Sequence, residues 1–228
     1  MNEHQPLQSG FVLVDKPVDW TSHDVVAYLR GSLKTKKIGH AGTLDPFATG
    51  LLIVGVGRAA TKRLDEFKNL QKTYTTTVTL GATSDTYDVT GTITPSPSQK
   101  TPTNAEIIKA VTSFLGKQKQ IPPMYSAKKI KGKKLYELAR KGIEIERQPN
   151  DIEIFDITTD SIDYPDVSLS ITCSTGTYIR SIAHDLGEQL GVGGYCKALR
   201  RASIGTFSAE NAKDPKQISH SDITELSI

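Results

Sequence analysis

Residues 38–50 read Ile-Gly-His-Ala-Gly-Thr-Leu-Asp-Pro-Phe-Ala-Thr-Gly, and the apolar run Leu51-Leu52-Ile53-Val54-Gly55-Val56 follows without a break. Gly39, Gly42 and Gly50 open backbone conformations closed to other residues, while Pro46 fixes its own φ and pushes Asp45 out of the helical region. Such a stretch reads as a loop of defined shape. The apolar run after it has the length and composition of a buried strand. A single carboxylate, Asp45, is thus held on a stiff turn at the mouth of a core strand. Asp-Pro is also ordinary turn chemistry, so from this stretch alone a turn cap and a reactive acid both fit.

The rest of the chain narrows the choice. Its 228 residues suffice for one sizeable core. No run approaches the roughly 20 consecutive apolar residues of a membrane span. The start, Met1-Asn2-Glu3-His4-Gln5-Pro6, has neither a basic segment nor an apolar one, which gives no reason to expect secretion. Cys173 and Cys196 have no metal-ligand spacing, so a reducing cytoplasm is the expected setting. Charge is unevenly placed: residues 117–141 hold nine Lys or Arg against one acid, Glu137, whereas the whole chain carries only +3. A strongly basic segment on a mildly acidic body points to a polyanion-binding surface, with a solvated lysine face as the plain alternative.

In chain order, Phe11–Val14 reads as a first strand, and Thr21-Ser22-His23-Asp24 as a capping box opening a helix that ends near Gly31. Lys34, Lys36 and Lys37 bring positive charge just ahead of the Asp45 loop. Helical residues at 61–70 and a β-branched strand at 73–80 follow the apolar run. A short strand is expected at 89–93, a linker at 95–98, and a helix from the Thr103/Glu106 capping box to Gly116. Further on, the pattern gives a short helix at 135–140, alternating strands at 143–146, 152–157 and 167–173, a helix carrying Ile179, Ile182, Leu186 and Leu190, and a last strand near 204–207. Tyr178 and Arg180 fall in that helix's first turn. An arginine there opposes the helix dipole, which suggests a specific anionic partner.

One other motif would imply different chemistry. Gly55-Val56-Gly57-Arg58-Ala59-Ala60 has the spacing of a dinucleotide-binding turn, but the strand after it ends in Leu80-Gly81 with no acid for a ribose. An oxidoreductase reading rests on that match alone.

With Gly39-His40-Ala41-Gly42-Thr43-Leu44-Asp45-Pro46 and Ala48-Thr49-Gly50 in view, the chain resembles the TruB family of tRNA pseudouridine synthases. Asp15-Lys16-Pro17, Lys72-Thr73-Tyr74, Gln120 through Ala127, Gly176-Thr177-Tyr178-Ile179-Arg180-Ser181 and Leu199-Arg200-Arg201 fall in the family's order, so the likeness covers about residues 10–208. It implies an α+β pseudouridine-synthase fold, a large mixed and mostly antiparallel sheet flanked by helices with a central RNA-binding cleft. It also implies a guide-independent isomerase of the T-arm uridine at tRNA position 55, needing no metal or cofactor and working as a monomer.

Carried over residue by residue, the resemblance makes Asp45 the catalytic carboxylate, Tyr178 a proton acceptor beside the base, and Arg180 the partner of Asp45. Tyr74 stacks on the uracil, His40 and Leu199 line the pocket of the flipped nucleotide, and Lys16 and Pro17 brace the loop. Lys128, Lys129, Lys131, Lys133 and Arg200 are the expected RNA contacts.

The expected organisation is a tail at 1–9, a catalytic domain at 10–210 and a short polar tail at 211–228. Many family members carry a further RNA-binding module of the PUA type, which the 18 residues after Glu210 are too few to supply. The basic segment is therefore expected to carry a larger share of the RNA affinity. An RNA-refolding protein with a dispensable reaction is the alternative from another functional class.

Overall fold

The structure is a computed structural model that describes residues 9–126, 129–130, 133–139, 142–143 and 145–228. The chain forms two compact units, one of residues 1–73 with 200–228 and the other of residues 74–199.

In the first unit, β1 (Gly10–Lys16) leads to α1 (Ser22–Ser32), β2 (Ile38–His40), β3 (Thr49–Val56) and α2 (Gly57–Lys68). Strand β3 is antiparallel to both β1 and β2. It is buried on both faces, which is why its sequence is apolar without alternation. Leu52, Val54 and Val56 pack with Val25, Val26 and Leu29 of α1, whereas Leu51 and Ile53 pack with Leu64 and Phe67 of α2. The Thr21 hydroxyl and Asp24 carboxylate form the expected reciprocal cap of α1. Gly50 sits at φ +102°, and a Cβ there would lie 2.3 Å from the carbonyl oxygen of Arg201. Gly39 plays a different part from the one expected of it. Its φ is not positive, and its missing Cβ instead makes room for Leu64, 3.0 Å from where that atom would lie.

Residues 211–228, read from sequence as a polar tail, are built into this unit. Ile218 and Ile223 are buried in the same core cluster as Val12 and Leu52, and Thr224 exchanges backbone hydrogen bonds with Phe11.

In the second unit come β4 (Lys72–Leu80), β5 (Ala82–Ser84), β6 (Ile93–Pro95), α3 (Asn104–Thr112), β7 (Gly116–Gln120), β8 (Lys129–Ile130), β9 (Lys133–Lys134) and α4 (Leu135–Ala139). The long strand β10 (Asn150–Asp163), β11 (Asp166–Cys173), α5 (Ile179–Leu190) and β12 (Gly194–Ile204) follow, and β13 (Phe207–Ser208), in the first unit, pairs with the end of β12. The chain thus passes between the units within β4 and within β12. The strand order in this unit is β12, β4, β11, β10, β7, with β10 antiparallel to both β11 and β7.

Several expected boundaries shift. α3 stops at Thr112 and Gly116 opens β7 instead of closing the helix. β6 lies at 93–95, where a strand at 89–93 and a linker at 95–98 were expected. Ile143, Ile145 and Glu146 form no strand. β12 is eleven residues long and begins at Gly194, well before the strand expected near 204.

Candidate active site

Asp45 lies in the connection from β2 to β3, in the first unit. Leu44, Phe47 and Ala48 around it are buried, whereas Asp45 itself is half-buried, so the loop is fixed by its apolar neighbours and presents its acid. The Ala48 N–H donates to the Asp45 carbonyl at 3.1 Å, closing a turn with Pro46 at its second position.

The loop is also tied down from outside. The Ser22 hydroxyl accepts from the Leu44 N–H at 2.9 Å and donates to the Leu44 carbonyl at 3.3 Å. The Pro46 carbonyl accepts from the Asp19 N–H at 2.9 Å and from Lys16 Nζ at 3.2 Å. Lys16 is fully buried and also donates to the carbonyls of Pro17 and Trp20. Burial pulls its pKa down to about 8, opposed by the charge of Asp45. Arg201, 1% exposed, donates Nε to the Leu51 carbonyl at 2.7 Å and its two terminal nitrogens to the carbonyls of Thr43 and Gly42 at 3.4 Å. One guanidinium therefore binds both ends of the loop.

His40 ends β2. Its Nδ1 lies 3.3 Å from the Gly42 carbonyl, which can only accept, so the proton is on Nδ1. Burial lowers the His40 pKa, leaving a neutral ring beside the loop. Arg200 alternates with Arg201 along β12 and faces the other way, in a two-pronged ion pair with Asp15 at 2.8 and 2.9 Å.

The second unit holds Tyr74 on β4, Leu199 near the middle of β12, Tyr178 at the N-terminus of α5 and Arg180 in its first turn. Tyr74 and Tyr178 are partly exposed and Leu199 is buried. The Tyr178 backbone is clamped by the buried Gln120, whose Oε1 accepts from the Tyr178 N–H at 2.8 Å and whose Nε2 donates to the Tyr178 carbonyl at 3.0 Å. Arg180 has a buried anionic partner in its own unit. Its Nη1 lies 3.2 Å from Asp88 Oδ2 and donates to the Thr86 carbonyl, and its Nη2 donates to the Tyr125 carbonyl at 2.7 Å. Asp88 also accepts from the Thr86 hydroxyl, the Thr90 N–H and the Thr90 hydroxyl.

Asp88 and Arg201 are the residues that sequence reasoning passed over. The signal for Asp88 was an acid with hydroxyl residues two positions before and after it, an arrangement that lets the acid accept locally. For Arg201 it was the second of two adjacent arginines, which point to opposite faces once the segment is a strand. Lys128 and Lys131 lie outside the described residues. Lys129 and Lys133 belong to β8 and β9.

The dinucleotide spacing at 55–60 does sit between a strand and a helix, but the start of α2 is occupied. The Ser9 hydroxyl donates to the Val56 carbonyl and accepts from the Ala60 N–H, and a Cβ on Gly57 would lie 2.6 Å from Ser9 Oγ. A pyrophosphate would have to displace that cap. Among the described residues, no cluster of three or more His, Cys, Asp or Glu could hold a metal ion.

Comparison with known proteins adds to this geometry. The model of the TruB family pseudouridylate synthase N-terminal domain matches residues 30–179, and that of the tRNA pseudouridylate synthase B C-terminal domain matches residues 180–225. A tRNA pseudouridine synthase B of Geobacter sulfurreducens is 47% identical over 203 residues, covering 89% of this chain and 66% of the relative. One from Chlamydia abortus is 47% identical over 208 residues, covering 91% of this chain and 88% of the relative. Among solved structures, a Cbf5–Nop10–Gar1 complex aligns with TM-score 0.69 and 28% identity over 90% of this chain and 52% of that one. An H/ACA RNP bound to a substrate RNA aligns with TM-score 0.65 and 27% identity, covering 87% of this chain and 48% of that one.

Proposed function

The chain belongs to the TruB family of pseudouridylate synthases and has a mixed α/β fold like theirs, and we propose that it is a tRNA pseudouridine synthase acting on the T-arm uridine. The observation that carries this reading is the Asp45 loop: an acid presented on a turn that buried neighbours, Lys16, Ser22 and Arg201 hold from every side. Isomerisation breaks the bond from ribose C1′ to N1, turns the uracil and joins C1′ to C5, while the C5 hydrogen is lost and N1 gains a proton. The reaction is redox-neutral and needs one ionised carboxylate, either to attack C1′ or to remove a ribose proton. Fixing that carboxylate beforehand spares the reaction the cost of ordering it.

In this reading Tyr74 and Leu199 receive the flipped base, Tyr178 accepts the C5 proton, and Arg180 keeps Asp45 ionised. These roles rest on the family resemblance, as do guide-independent action and a monomeric state, whereas a cytoplasmic setting rests on the spacing of Cys173 and Cys196. Unstacking a base costs a few kcal/mol, which an aromatic platform and an apolar wall partly offset.

The test is tritium release from C5-tritiated uridine in a T-arm RNA, with wild type beside Asp45→Asn. Release by the wild type alone supports the assignment. Tight RNA binding with no release from either protein favours an RNA-refolding role instead.

A further inference from the structure

Two residues of one loop, Thr86 and Asp88, hold Arg180. The Thr86 carbonyl and the Asp88 carboxylate both meet its Nη1, at 3.0 and 3.2 Å. Between them Tyr87 turns the backbone through φ +64°, a left-handed conformation that costs a bulky residue about 1–2 kcal/mol and that Gly or Asn would adopt more cheaply. That reversal brings a carbonyl and a carboxylate two residues apart onto one guanidinium.

The Tyr87 ring has a defined neighbour. It lies parallel to the His184 ring, with centroids 3.9 Å apart and planes within 6°. His184 is one helical turn beyond Arg180, on the same face of α5. The loop therefore meets α5 at two successive rungs, the Asp88–Arg180 ion pair and the Tyr87–His184 stack. His184 Nδ1 is buried with no hydrogen-bond partner. A buried nitrogen left unpaired costs about 1–3 kcal/mol, so the ring is not kept in place through that atom.

We propose that the Tyr87–His184 stack is a positioning device that holds the 86–88 turn, and through it the Arg180 guanidinium, in the geometry the reaction uses. This rests on the function proposed above. The stack acts through ring faces, so the histidine is replaceable by a neutral aromatic and not by a small residue.

The experiment compares wild type, His184→Ala, His184→Phe and Tyr87→Gly for kcat, KM and RNA affinity on the tritiated T-arm RNA, with thermal unfolding of each. Tyr87→Gly removes the ring while relieving the φ strain, and its thermal unfolding reports whether the fold is kept. His184→Ala and Tyr87→Gly are expected to lose at least tenfold in kcat with less than threefold change in KM and affinity. His184→Phe is expected to rescue kcat to within about twofold of wild type and to melt higher.

Wild-type kcat in His184→Ala, or a His184→Phe enzyme as slow as His184→Ala, would overturn the proposal. Exchange of the Arg180 guanidinium protons, followed by NMR, reads the positioning without any turnover. It should be slow in wild type and His184→Phe and at least tenfold faster in His184→Ala; equal exchange in all three overturns the proposal. Differing exchange in a wild type that releases no tritium would instead overturn the enzymatic reading alone.

Discussion

Arg180 Nη1 and Asp88 Oδ2 face each other at 3.2 Å with both side chains 4% exposed. A buried pair of this kind contributes little against a well-packed apolar replacement, but removing one partner strands the other's charge. Asp88→Asn keeps the shape and the hydrogen bonds from Thr86 and Thr90 while deleting the charge. It is expected to lower stability by roughly 3 kcal/mol and to slow turnover, because the guanidinium loses one of the groups that fix it. Urea unfolding and single-turnover kinetics read the two effects separately; unchanged stability would show that the pair is not a buried charge pair in solution.

Lys16 gives a pH dependence with opposite signs in two measurements. Its ammonium serves three carbonyls, those of Pro17, Trp20 and Pro46, and a neutral amine has only two N–H groups to offer them. With a folded pKa of about 8 against an ordinary 10.5, the unfolded chain binds more protons than the folded one between those values. Stability contributed by this group therefore rises with pH across that interval, by up to about 3 kcal/mol. Turnover is expected to fall over the same range as the Pro46 anchor of the Asp45 loop weakens. Chemical unfolding of wild type relative to Lys16→Met from pH 7 to 10.5 checks the first effect, and the wild-type kcat profile checks the second. A falling stability difference would sink the assignment.

What the sequence made legible were features whose cause is local. Thr21 with Asp24 and Thr103 with Glu106 are capping boxes written in four residues, and both form as expected. The Asp45 loop was legible because glycine and proline restrict it from within. Missed elements have causes distant in the chain. β7, Gly-Lys-Gln-Lys-Gln, has no apolar pattern, and it is a strand because β10 pairs with it. β12 was hidden because its small and charged residues follow no simple alternation. Asp88 as the partner of Arg180 is 92 residues away from it in sequence, beyond any local pattern.

The basic segment supports a prediction from charge alone. If Lys128, Lys129 and Lys131 each neutralise an RNA phosphate, changing all three to Glu removes three counterion-releasing contacts. The slope of log affinity against log salt should then fall in magnitude by about 2 to 3. Because such contacts position the RNA without touching the base, kcat at saturating RNA should stay near wild type. Filter binding between 50 and 200 mM salt provides the measurement, and an unchanged slope would make this segment a solvated lysine face.

Gly50 tests whether the Asp45 loop depends on close approach of two backbones. A Cβ added there would lie 2.3 Å from the Arg201 carbonyl oxygen and 2.8 Å from the Arg201 nitrogen, at φ +102°. Neither neighbour is a flexible side-chain end. Gly50 also pairs with Arg201 where β3 and β12 run parallel, so relief requires the two strands to part. Parting them moves Arg201, whose guanidinium ties Gly42, Thr43 and Leu51 together around Asp45. Gly50→Ala is therefore expected to cost about 3 kcal/mol or more in stability, the strain at φ adding to the overlap. In protein that remains folded at low temperature, kcat should fall at least tenfold with RNA affinity little changed, since the loop that presents Asp45 is displaced. Thermal unfolding and single-turnover tritium release at 15–20 °C measure both. An alanine variant that melts within about 2 °C of wild type and turns over normally would mean the two strands are free to separate at this point.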